Sequence, residues 1–139
     1  MKDLRSILIK ALVAKLKTET GIGVYSRIPK GAAIVYPYVW IGDIYDSEKG
    51  PKTSFKYEYD VQVLTVYKDL DDLAPLFTTL DKVKGVINNT TPFALYEPYS
   101  LDEPYKIESC LLGASSTTEF DTETGTENVG ITRMIFTIV

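Results

Sequence analysis

The sequence predicts an α+β fold, a single mostly antiparallel β-sheet with two helices packed on one face, in one domain spanning residues 1–139. Three observations predict it. Two stretches carry apolar residues at helical spacing, one stretch between them alternates strictly, and the connections read as hairpins.

The first helix is written in Leu4, Ile7, Leu8, Ala11, Leu12 and Leu16, which fall on one stripe while Lys2, Arg5, Lys10 and Lys17 face elsewhere. Gly21 can take positive φ and so stops it. The Gly21-Ile22-Gly23 triplet follows a helix rather than a strand and lacks a third glycine, so a cap and bend explain it better than a phosphate loop. Val24 to Ile28 reads as a short extended piece before Pro29.

Tyr36 to Tyr45 reads as a strand opened by Pro37, with Gly42 marking a bulge or a close backbone approach. The polar segment Asp46 to Ser54 then forms a hairpin tip. On the return strand Phe55, Tyr57, Tyr59, Val61, Val63, Thr65 and Tyr67 point one way, and Lys56, Glu58, Asp60 and Gln62 the other. Asp69, Asp71 and Asp72 sit where a helix begins, because carboxylates meet free N–H groups there. Pro75 fits only a first turn, which starts the second helix near Asp72. Its apolar repeat is Leu73, Phe77, Leu80, Val83 and Ile87. Pro92, Pro98 and Pro104 leave a loop and a short edge strand. The last two strands run from Tyr105 to about Phe120 and from Asn128 to Val139, around an acidic turn containing Gly125. From Met134 onward the final strand is apolar on both faces, so it belongs mid-sheet with helices over one side and a further covering over the other.

Composition is that of a globular chain, 45% apolar and 24% charged, with ten Tyr. A net charge of −4 argues against a general nucleic-acid binder. With Cys110 as the one cysteine, no intrachain disulfide can form. No apolar run approaches the length of a membrane span, and the N-terminal residues do not separate into a secretory signal. The chain is therefore expected to start at Met1 and to stay in a cytoplasm or wherever assembly carries it.

The sequence contains no histidine, which removes Ser-His and Cys-His nucleophile pairs and imidazole ligands for a metal. The Asp69–Asp72 acids lack the glycine and distal glutamate of a calcium loop. Asp43 could pair with a second acid across strands, but no spacing names the partner. We expect no enzyme, no cofactor and no metal. Aromatics interleaved with bases, as in Phe55-Lys56-Tyr57, hint at a nucleic-acid-binding module on an aromatic sheet face, the runner-up reading. Glu48, Glu58 and Asp60 offset that field and favour sheet core or subunit contact.

The segment Tyr36-Pro37-Tyr38-Val39-Trp40-Ile41-Gly42-Asp43 resembles the tail-completion (tail-terminator) proteins of long-tailed bacteriophages. Val24-Tyr25-Ser26-Arg27-Ile28-Pro29, the strand Tyr59 to Tyr67 and the closing Ile135-Phe136-Thr137-Ile138-Val139 fit the same pattern in order. The Pro92–Pro104 stretch is longer than that pattern has there. The resemblance implies a virion assembly protein in a homo-oligomeric ring, usually a hexamer. Such a ring caps the tail tube and joins it to the head–tail connector protein, with DNA passing through it. It implies partners in the tail-tube and connector proteins, a place in the virion neck, no membrane, and no catalytic residues to carry over. For the subunit or partner interface the candidates are Glu48, Lys49, Lys52, Tyr57, Tyr59 and Phe136.

Overall fold

The computed structural model describes residues 5–27, 34–49, 56–86 and 107–138. In chain order the elements are α1 (Arg5–Thr20), β1 (Gly23–Tyr25), β2 (Tyr38–Lys49), β3 (Lys56–Lys68), α2 (Ala74–Gly85), β4 (Ile107–Thr122) and β5 (Gly125–Ile138). The five strands form one sheet in the order β1-β2-β3-β5-β4. Only the β1–β2 pair is parallel; the other three are antiparallel. The α+β expectation and the order of its elements are therefore met.

Both helices lie on one face. Leu8, Ala11, Leu12 and Leu16 of α1 and Val83 of α2 pack with Val39, Ile41, Tyr59, Val61, Val63, Met134, Phe136 and Ile138 in one cluster. Side chains alternate along a strand, so the odd residues of β3 and the even residues of β5 look toward the helices. The register agrees, setting Tyr59 opposite Phe136 and Val61 opposite Met134. Each large apolar side chain so buried stabilises the fold by about 1.5–3 kcal/mol. The approach is close at Gly130, where an added Cβ would stand 2.7 Å from Leu80 Cδ2.

The first helix ends as its sequence requires. Gly21 has φ 71°, and its N–H donates to the Lys17 carbonyl at 3.0 Å. The second helix begins at Ala74, near Asp72 as expected, and Asp72 Oδ1 accepts from the Ala74 N–H at 3.0 Å. Its buried side is Leu76, Thr79, Leu80 and Val83, whereas Phe77 is 49% exposed. Leu76, Leu80 and Val83 already complete an i, i+4, i+7 stripe, which turns position 77 outward.

The β2–β3 hairpin is longer than expected. Pairing continues to Lys49 opposite Lys56, so Asp46 to Lys49 belong to the strand rather than to a polar tip. Gly42 lies in a break of register between Ile41 and Ile44, the anticipated bulge. A Cβ there would meet Leu64 Cδ1 at 2.6 Å. As expected, β5 lies mid-sheet, between β3 and β4. The expected edge strand within 93–105 lies outside the described residues.

Asp69 joins the two halves of the sheet's end. It has φ 53°, in the left-handed region that aspartate tolerates better than most residues. Its N–H donates to the Thr126 carbonyl at 2.8 Å, and its Oδ1 accepts from the Thr126 N–H at 2.8 Å. The clasp fixes the β3–α2 connection to the first residues of β5. Gly125, at φ 144°, is the neighbour that makes room, because a side chain there would collide with the Asp69 carboxylate. Asp69→Ala loses the carboxylate acceptor and places a Cβ-bearing residue without local bonds in the left-handed region. It is expected to lower stability in urea unfolding by about 1–2 kcal/mol, while Asp69→Asn stays close to wild type.

Candidate interaction surfaces

The face of the sheet away from the helices carries a second, smaller apolar cluster. Tyr38, Val66 and Val129 are buried in it, with Ile34, Tyr36, Trp40, Leu64 and Ile131 packed around them. Aromatic rings line one end. Tyr36 and Tyr38 have centroids 5.4 Å apart, and Tyr25 of β1 meets Tyr38 edge-on at 6.2 Å. The Tyr36 hydroxyl donates to Glu127 Oε2 at 2.8 Å, and Lys68 Nζ stands 5.6 Å from the centre of its ring. Farther along this face Arg133 pairs with Asp60.

Burial, and after it the hydrogen bond to Glu127, pushes the Tyr36 phenol up to about 12. Burial raises the Tyr38 phenol in the same direction. A phenol whose folded value is raised contributes its full stabilisation below the unfolded value, and loses it as pH climbs toward the folded one. The contribution of Tyr36 should thus fade between pH 10.0 and about 12. In an alkaline titration of phenolate absorbance, the difference between wild type and Tyr36→Phe should show a midpoint near the upper value, displaced downward by Glu127→Gln. A midpoint unmoved by Glu127→Gln would show that the carboxylate does not act on this ring.

The two edges of the sheet differ. On the β1 side a groove of about 430 Å³ runs between α1 and the strand, lined by Ile9, Lys10, Val13, Ala14, Lys17, Val24, Tyr25 and Ser26. A second concavity, about 740 Å³, continues it toward Arg5, Gly42, Asp43 and Ile44. On the opposite side, β4 exposes Leu111 by 59%, Leu112 by 39% and Phe120 by 54%. Among the described residues no group of histidine, cysteine or acidic side chains could hold a metal ion. No described helix is long and apolar enough to cross a membrane.

The interface candidates drawn from the sequence separate on this frame. Tyr59 is 2% and Phe136 0% exposed, both in the core beneath the helices, so neither can face a partner of the folded subunit. Tyr57 is half-buried against the same cluster. The β3 alternation and the apolar end of β5 both supply the helix-covered face, where Tyr59 and Phe136 are core residues. The same burial takes Tyr59 out of the aromatic face that the nucleic-acid reading uses. Glu48 and Lys49 lie at the far end of β2, paired with Tyr57 and Lys56; Lys52 lies outside the described residues. Leu111, Leu112, Phe120 and the groove lysines were not singled out. A sequence signal for β4 did exist, since no Lys, Arg or Pro occurs from Ile107 to Thr132.

No protein-family model matches the sequence, and no curated protein matches it. The fold is nevertheless shared with a known structure. A chain in the solved virion of a native gene transfer agent particle superposes with a TM-score of 0.73 and 12% sequence identity, covering 100% of both chains. At that identity the likeness is one of fold, extending over every element of the sheet and both helices.

Proposed function

We propose that this chain is a structural component of a phage-like virion, and that copies of it form a ring that caps the tail tube and joins it to the head connector. One observation carries the first part: the fold is shared, end to end, with a chain of a gene transfer agent virion. The resemblance of Tyr36 to Asp43 to tail-completion proteins supports the second. The role is architectural and involves no catalysis. Sequence and surface agree with it, since histidine is absent and the two sheet edges differ in character, as a repeating head-to-tail contact requires.

Light scattering after size exclusion, with negative-stain imaging of the peak, tests the ring. The expected result is a closed ring of several copies, either alone or on addition of tail-tube protein. A monomer in both settings overturns the ring. A chain that does not co-purify with particles overturns the virion assignment as well.

A further inference from the structure

The strand β4 lacks the devices that keep a sheet edge from pairing. It runs for 16 residues, and no strand lies on its outer side among the described residues. Edge strands are ordinarily protected by lysine, proline or shortness. Apart from two shifts of register, between Ile107 and Ser109 and between Leu112 and Ser115, β4 has none of these: lysine, arginine and proline are absent from Ile107 to Thr132. Its exposed apolar residues stand on both faces. Leu112 is opposite Met134, on the helix side, and Leu111 is opposite Ile135, on the other. Toward the β4–β5 turn the exposed charges, Glu119, Asp121 and Glu123, are all acidic.

The other edge is complementary. The α1–β1 groove has an apolar floor of Ile9, Val13 and Val24 and carries Lys10 and Lys17, both exposed. We propose that β4 of one copy lies along β1 and α1 of a second copy, continuing the sheet from subunit to subunit. In that arrangement Leu112 meets the apolar side of the neighbour's α1, and Glu119 and Glu123 meet Lys10 and Lys17. The strand order sets the two surfaces on opposite edges of the sheet, about 19 Å apart at the usual strand spacing. A contact that uses one edge of each kind leaves the other kind open on every subunit. It therefore repeats until the rotation closes a ring.

The proposal rests on the ring reading and names its surface. Oligomer mass is measured for wild type, for Lys10→Glu with Lys17→Glu, for Glu119→Lys with Glu123→Lys, and for all four changes together. The changed residues are exposed, and circular dichroism of each variant confirms that the fold is kept. Each double reversal is expected to weaken association by about tenfold or more, and the combination to restore it. Rings that persist in both double reversals overturn this surface while leaving the ring reading intact. Association lost with Glu119→Lys and Glu123→Lys but indifferent to the lysine reversals pairs β4 with itself, and also overturns it. A wild-type chain that stays monomeric at concentrations on the order of millimolar overturns this surface too; mixing with tail tubes then judges the ring separately.

Discussion

Phe136→Ala is expected to lower the unfolding free energy by about 3–5 kcal/mol. Phe136 is fully buried, opposite Tyr59 on one side and Cys110 on the other. It sits in the strand with neighbours on both sides, within the core cluster between sheet and helices, so the cavity left by truncation has little that can collapse into it. A loss of that size is a large share of the roughly 5–15 kcal/mol that holds a typical domain together. Chemical denaturation should show a lower midpoint with an unchanged slope. A loss below about 1 kcal/mol would mean that the side chain is not in the core.

Leu12→Ala is expected to cost about 2–5 kcal/mol. Leu12 is 0% exposed, in mid-helix between the equally buried Leu8 and Leu16. A helix of this length is marginal in water by itself, so α1 holds its place by what it buries. Alanine has the higher intrinsic helix propensity, and a helix held by propensity would be stabilised by the change. The two accounts thus predict opposite signs. Lys17→Ala on the exposed side of the same helix should stay within about 0.5 kcal/mol of wild type.

The parts of the fold legible in the sequence are those where one periodicity governs many residues. The alternation from Tyr57 to Tyr67 identified a strand with one covered face, and the covering is α1 and α2. The glycine at 21 and the bulge at 42 were legible because backbone geometry leaves few residues able to serve there. Three things were not. Phe77 reads as inward because its neighbours admit two overlapping helical stripes, and only packing against the sheet chooses between them. The hairpin tip reads as too long because charged residues also occupy the ends of paired strands, as at Lys49 and Lys56. Most consequentially, Tyr59 and Phe136 read as interface candidates because a tyrosine-rich face and a strand apolar on both sides look the same in sequence whether a helix of the same chain or another subunit covers them. The candidate surfaces on β4 and α1 are defined by what they lack or by which residues meet across space, and strand order is not written locally.

The central pairing of the sheet joins residues far apart along the chain: Arg133 of β5 reaches Asp60 of β3 across 73 positions. The hairpins β2–β3 and β4–β5 can each zip up early and locally, but the seam between them needs both. Contacts that span so much chain are slow to find, because loop closure comes before any gain from them. On the ribosome, α1, β1, β2, β3 and α2 emerge before the strand that completes their core. Until β5 arrives, the edge of β3 that it pairs with has no partner strand, and β4 has nothing to join it to the sheet. The sheet is thus completed only once the last of its strands in chain order is available.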